Sequence, residues 1–303
     1  MSSPLIAEQA YAHELADAFR IVFKAVPERQ RPARVENALK LVRTNELHTD
    51  GVWVVRGPSG LLGAMVCMLV PGASALIWPP QALTQPPEAI EDLLLRTAVT
   101  WLRKHGAKMG QTLLAPRETV LATPLLRHGF RHTTRLWYLK HDLGFPAELL
   151  GAEAKLTFLD YTQCDQQLFQ QTLLASYEGT QDCPEVNGVR NLQDILEGHK
   201  AQGLYDPRRW WLALKEEKAA GVLMLAELPE WEGWDLSYLG VPRWARRQGI
   251  GRELTHKAIF EAHAARASQL TLSVDDRNRP AWNLYTSLGF EAFDEREVYL
   301  AIW

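Results

Sequence analysis

The 303-residue sequence predicts a mixed α/β fold (α+β, with a mixed sheet) built from two similar halves in tandem. Three observations predict it. Strand-like apolar runs alternate with helix-length amphipathic runs. The order of these runs repeats from the first half to the second. A Gly-Phe turn also occurs twice at one offset, Gly129-Phe130 lying 160 positions before Gly289-Phe290.

In the second half, residues 165–176 have helical spacing, with Leu168, Thr172 and Ala175 on one side. RWWLALKE and AAGVLMLAELP read as two strands joined by a charged turn, and WDLSYLGV (234–241) as a third. Residues 251–267 place Leu254, Ala258 and Ala262 at four-residue spacing, which predicts a helix. That helix supplies the crossover a parallel strand needs before QLTLSV at 269–274. A short helix (RPAWNLYTSL), the Gly-Phe turn and a closing strand near REVYLAIW follow.

The first half has the same order. GVWVVRG and LLGAMVCMLVP are the strand pair, and ASALIWP the next strand. A helix from Glu88 aligns Leu94, Ala98, Trp101 and Leu102, and is followed by the strand GQTLLAP, a short helix, the turn and the closing strand TRLWYLKHDL. At the same offset Thr112–Ala115 falls on Leu272–Asp275 without a gap. Domains are therefore expected at 1–150 and 151–303, with the boundary at 146–155 around Pro146.

Composition narrows the function classes. Hydrophobic residues at 47% and charged residues at 23% suit a globular protein with a real core. The first 150 residues carry 17 basic and 13 acidic side chains and the rest 16 and 23, so neither half has the basic field of a nucleic-acid binder. No apolar run approaches a membrane span, and the N-terminal residues lack a secretory pattern, so a cytoplasmic protein with no membrane partner is expected. Cys67, Cys164 and Cys183 are far apart, and the histidines form no ligand spacing, so no metal is expected.

Chemistry concentrates in VPRWARRQGIGRELTHKAI, where a strand runs through Arg246, Arg247, Gln248, Gly249, Ile250, Gly251 and Arg252 into a helix. Free N–H groups and the helix dipole make such a junction attractive to an anion, and glycine lets the backbone approach it. These residues form a candidate pyrophosphate cradle. A tight strand-to-helix turn alone would also explain two glycines.

The loop, followed by VDDRNRPAWNLYTSLGF, resembles the GNAT superfamily of acyl-CoA-dependent N-acyltransferases. That superfamily combines an Arg/Gln-x-x-Gly-x-Gly/Ala loop with an Asn-x-x-Ala-x-x-Leu-Tyr-x-x-x-Gly-Phe segment. Here the segment is Asn278, Ala281, Leu284, Tyr285, Gly289 and Phe290. The resemblance implies two tandem GNAT-like domains, each a mixed, mainly antiparallel sheet flanked by helices, with a splayed central pair of parallel strands. It implies acetyl-CoA as co-substrate, with the pyrophosphate at 246–252, the pantetheine arm along Leu239-Gly240-Val241 and a contact from Asn278. It also implies direct transfer to a small-molecule or peptide primary amine, with Tyr285 as acid for the leaving thiolate. Asp235, before the loop, is the candidate base. Residues 176–191 fall in the family's variable acceptor loop, where Glu178, Asp182 and Glu185 are candidates for meeting a cationic acceptor; a solvated loop is the alternative.

At the 160-residue offset the first half has Leu125 in place of Tyr285 and Glu118 in place of Asn278, and the cradle is replaced by the proline-rich PPQALTQPPEA. It is expected to keep the scaffold without the site. The other readings are a non-catalytic CoA-binding scaffold or sensor, and an aminoacyl-tRNA-dependent transferase of the peptidoglycan type.

Overall fold

The computed structural model describes residues 4–143 and 156–303, so the expected boundary at 146–155 lies outside the described residues. The chain forms two compact units. One comprises the residues up to Thr133 together with Glu297–Trp303, and the other Thr134–Arg296.

The first unit begins with β1 (Ala7–Gln9), α1 (Leu15–Val22) and α2 (Arg31–Arg43), followed by β2 (Val52–Gly57), β3 (Gly60–Val70) and β4 (Ser74–Ala82). Helix α3 (Glu88–Lys104) crosses over to β5 (Met109–Leu114), and α4 (Thr123–Arg127) leads into β6 (Arg131–Asp142). The second unit holds β7 (Thr157–Asp160), α5 (Gln166–Tyr177), α6 (Leu192–Lys200), β8 (Trp210–Lys215), β9 (Lys218–Leu228) and β10 (Gly233–Gly240). Then come α7 (Ile250–Ala264), β11 (Gln269–Asp275), α8 (Arg279–Thr286) and β12 (Glu291–Ile302). The tandem expectation is met in the pairing itself. β3 with β4 and β9 with β10 are antiparallel, whereas β4 with β5 and β10 with β11 are parallel.

The strands read as continuous apolar runs because helices cover both faces of the strands within each unit. Along β8, Trp210 and Leu212 enter the core beneath α5 and α6, while Trp211 and Ala213 enter the core beneath α7. Along β2, Val52 and Val54 pack with residues of α1, and Trp53 and Val55 with residues of α3. This is the period-two alternation of a strand, applied to a sheet with two dry faces.

The closing strands depart from a simple division at residue 150. Residues 297–302 of β12 pair with β5 inside the first unit, and residues 136–142 of β6 pair with β11 inside the second. Thr112 faces Tyr299, and Leu272 faces Leu139. Adding 160 to one partner and subtracting it from the other turns the first pair into the second, so the duplication extends to the register. Each unit thus takes the closing strand of the other half of the sequence. Their side chains are core residues: Leu139 is fully buried in the second unit, and Tyr299 and Ala301 join the core of the first. No helix among the described residues is long and apolar enough to cross a membrane.

Candidate functional site

The central parallel pair of the second unit is short. β10 and β11 pair only at Trp234 with Leu270 and Asp235 with Thr271, while β10 continues along β9 to Gly240. A register shift between Leu236 and Tyr238 bends β10 at this point. The two strands therefore splay from Asp235 onward, leaving the β11-facing edge of Leu239 and Gly240 without a strand partner. Gly240 is required by packing, since a Cβ there would sit 2.3 Å from the Ser176 Oγ on α5.

The cradle lies where β10 turns into α7. Arg247 and Gly249 have φ of 64° and 84°, and the alternation of handedness around them turns successive amides toward one side. Among the described residues, the amides of Arg247 through Gly251 meet no backbone acceptor. Gly249 caps α7, its left-handed φ favours glycine, and a Cβ there would have no atom within 4 Å. At Gly251 a Cβ would come 3.2 Å from Leu284. Arg247 and Arg252 are exposed beside these amides, Arg252 Nη2 resting 2.9 Å from Ser287 Oγ. The donor set fits a pyrophosphate: free amides, a helix N-terminus and exposed guanidinium groups. An open depression of about 320 Å³, lined by Ala175, Glu178, Pro242, Arg243 and Trp244, adjoins it.

Arg246 and Gln248 are placed differently from their neighbours. The Arg246 guanidinium donates to four carbonyls: Val241 at 3.0 Å, Ser176 at 2.9 Å, Glu178 at 2.7 Å and Gly179 at 3.1 Å. It satisfies the orphan carbonyls at the end of α5 and ties them to the loop, so it positions the cradle. Gln248 accepts from Lys215 Nζ at 2.7 Å and donates to the Trp244 carbonyl at 2.9 Å, holding the loop from the other side. Arg246→Ala is expected to destabilise the protein by about 2 kcal/mol, read as a lower urea midpoint at unchanged slope. Arg246→Lys should recover little of it, because one ammonium cannot span the same carbonyls.

Tyr285 lies on α8, which is capped by Asn278 through its Oδ1 and the Ala281 amide at 3.3 Å. The capping role of Asn278 is thus present, and its side chain also hydrogen-bonds Asp182. The Tyr285 ring packs 5.7 Å from Phe290, and the Gly-Phe turn closes by the Phe290 amide donating to the Tyr285 carbonyl at 3.1 Å. Burial, and then the charge of Asp182, push the phenol well above its usual range, so it is protonated at neutral pH. Asp235 sits at the last position where β10 pairs with β11. Burial raises its carboxyl to about 6, against the pull of the Thr271 hydroxyl at 2.9 Å.

The three acids of the acceptor loop separate. Glu178 is exposed at the end of α5, 3.8 Å from Arg243. Glu185 is held by Arg277 through contacts of 2.6 and 3.0 Å, which keep its carboxyl below the usual range. Asp182 is pushed up to about 6 by burial and by the charge of Asp275. Asp275 itself was not singled out from the sequence and proves to be the hub of the site. Burial would raise its carboxyl, but Arg277, Thr134 and the Cys183 amide outweigh this and hold it at about 2. Thr134 Oγ1 donates to it at 2.6 Å and the Cys183 amide at 2.9 Å. Asp182, Cys183 and Asp275 bring donor atoms within 4.8 Å of one another. The set does not suit a cation, because both Asp275 oxygens already accept hydrogen bonds and burial keeps the Cys183 thiol protonated.

The tryptophans near the cleft are mostly structural. Trp210, Trp211 and Trp234 are buried, and only Trp231 among the four is exposed.

In the first unit the corresponding positions lack these features. Its parallel pair also splays, after Leu76 with Gln111. Leu125 is fully buried in the core, and the Glu118 carboxylate accepts from the Ala115 amide at 3.1 Å. Helix α3 begins after Pro86 and Pro87 with Glu88 and Glu91 in its first turn, which is unfavourable for a phosphate.

A splayed parallel pair and free amides at a strand-to-helix turn form an arrangement suited to an extended ligand with an anionic group. Residues 174–290 match the acetyltransferase (GNAT) family. A mycothiol acetyltransferase of Beutenbergia cavernae is 27% identical over 254 residues, covering 80% of this chain and 78% of that one. Among solved structures, a GCN5-related N-acetyltransferase from Sphaerobacter thermophilus aligns with a TM-score of 0.65 at 17% identity, covering 99% of this chain and 97% of that one. A tandem GNAT protein from the clavulanic acid biosynthesis pathway aligns with a TM-score of 0.52 at 16% identity, covering 99% and 98%. Both show the shared tandem fold.

Proposed function

We propose that this chain transfers an acetyl group from acetyl-CoA to a primary amine, at a single site in its second unit. The observation that carries this is the run of free amides from Arg247 to Gly251 at the end of the splayed strand, where a Cβ on Gly251 would come 3.2 Å from Leu284, the residue before Tyr285. In this reading the amides and the Arg247 and Arg252 side chains hold the pyrophosphate. The unpaired edge at Leu239-Gly240-Val241 holds the pantetheine arm, and an amide there polarises the thioester carbonyl. Tyr285, kept protonated by its burial, gives its proton to the departing sulfur. By its place on β10, Asp235 is the family's carboxylate for the acceptor's proton. Direct attack within one ternary complex uses no covalent enzyme intermediate, and the protonated Cys183 thiol is in keeping with that. The first unit is a scaffold without a cradle.

Calorimetric titration with acetyl-CoA is expected to give one site per chain. A thiol-release assay over a panel of amines, including an amino sugar and an aminoacyl amide, then identifies the acceptor class. Two sites would restore a function to the first unit. No binding at millimolar acetyl-CoA by folded protein would refute acetyl transfer altogether.

A further inference from the structure

Asp235 and Thr271 form the last paired row before β10 and β11 part, so both stand at the mouth of the opening. Paired residues share a face, and Lys140 of β6 continues the row beyond Thr271. Thr271 is buried, and its hydroxyl lies between two acceptors. Asp235 Oδ1 is 2.9 Å away and the Trp234 carbonyl 3.3 Å away. A threonine hydroxyl carries one proton, so it serves one of these acceptors well at a time. Asp235 Oδ2 meets no donor among the described residues, and the side chain is half-buried rather than sealed.

We infer that Thr271 is the positioning residue of the β10 carboxylate, fixing one oxygen of Asp235 so that the other meets the acceptor's ammonium group. This rests on the acetyltransferase reading and adds the residue through which its base is held. While Asp235 is ionised, the Thr271 hydroxyl donates to Oδ1 and leaves Oδ2 to the ammonium. One N–H bond of the ammonium breaks, the proton passes to Oδ2, and the electron pair stays on nitrogen for attack. Oδ1 then belongs to a neutral acid and is a weaker acceptor, and the Trp234 carbonyl gives the hydroxyl a second place to donate. The buried hydroxyl is thus never stranded, whichever form Asp235 takes. The acid proton leaves to solvent, and the carboxylate is restored.

The groups around Asp235 leave this bond in control. On β6, Lys140 is exposed, and Tyr138, on the same face two residues along, is neutral because burial raises its phenol. Asp294 and Arg296 of β12, beside Tyr138, pair with each other. On β9, Ala226 lies opposite Asp235, and the neighbouring Glu227 is tied to Arg209 at 2.7 Å. Farther along β10, Tyr238 is neutral; Ser176 of α5 bonds it at 2.7 Å, and His199 of α6, also neutral, lies 5.1 Å from its ring. Burial and the Thr271 hydroxyl therefore set the Asp235 carboxyl, at about 6. The base form exists above that pH and is lost below it. Removing a donor to the ionised form raises the carboxyl further, so the acid break in kcat moves to higher pH.

The test is the pH profile of kcat, by thiol release with the best amine of the panel, for the wild type, Thr271→Val, Thr271→Ser and Asp235→Asn. Thr271→Val keeps the branched shape and removes the hydroxyl, and its acid break should rise by about one pH unit. Below the wild-type break its kcat should be about tenfold lower, and at about pH 8.5 it should rejoin the wild type within about threefold. Thr271→Ser restores the donor and should restore the break. Asp235→Asn should show no acid break. A Thr271→Val break at the wild-type position, or an equal loss at every pH, overturns the inference. Should Thr271→Val fail to fold, Thr271→Ala removes the same hydroxyl and is read in the same way. A break that survives in Asp235→Asn overturns Asp235 as base and Thr271 with it, while wild-type turnover still upholds acetyl transfer. Wild-type binding and turnover are read first, so failure of acetyl transfer itself shows before any variant is compared.

Discussion

Tyr285→Phe is expected to lower kcat by roughly 10²-fold or more while leaving the acetyl-CoA dissociation constant within a factor of two. The phenylalanine ring keeps the contact with Phe290 and fills the same buried space, so stability should barely move. In the proposed reaction, what it removes is the proton for the departing sulfur. Among the described residues, the hydroxyl makes no hydrogen bond that would explain its presence structurally. Steady-state kinetics beside calorimetry checks this directly. A variant that keeps full kcat would leave Tyr285 as a packing residue and place the acid elsewhere.

The other large effect is at Gly249. Gly249→Glu should weaken acetyl-CoA binding by at least about a hundredfold, or roughly 2.7 kcal/mol. A side chain here costs about 1–2 kcal/mol for its left-handed backbone, but it meets no neighbouring atom, so the protein should still fold. The carboxylate would then point at the amides that await an anion. Gly249→Ala carries the backbone cost without the charge and should bind several times more tightly than Gly249→Glu. Calorimetry with thermal melts distinguishes loss of the cradle from loss of the fold. Equal binding by wild type and Gly249→Glu would move the phosphate site away from α7.

Much of this was legible in the sequence, for identifiable reasons. The strands alternate between two cores, so their apolar runs stand out. The cradle is local in sequence, and its glycines announce a backbone that other residues resist. The helices Leu15–Val22 and Arg31–Arg43 were less apparent, the latter burying only Val35 and Ala38. Arg246 illustrates what a motif hides. Three of its four carbonyl partners come from residues 176–179, about 70 positions earlier, so only the folded chain shows that it braces the loop. Glu185 and Asp275 show the same limit, since Arg277 occupies the first, and the hydrogen bonds to the second come from three separate segments. The destination of the closing strands was hidden for another reason. The two strands take equivalent registers against β5 and β11, and side-chain alternation specifies which face a strand turns inward without naming the strand it joins.

That exchange bears on how such a chain can change over generations. The second unit takes Leu139 of its core, and the Thr134 hydroxyl that steadies Asp275, from polypeptide encoded in the first half. A gene shortened to its second half would lose these and leave β11 with a bare edge, a site for pairing with other chains. The first half can therefore shed its glycine loop and its phenol, yet it cannot be deleted. Its continued presence requires no second chemistry, only that its last strand remain part of the working half.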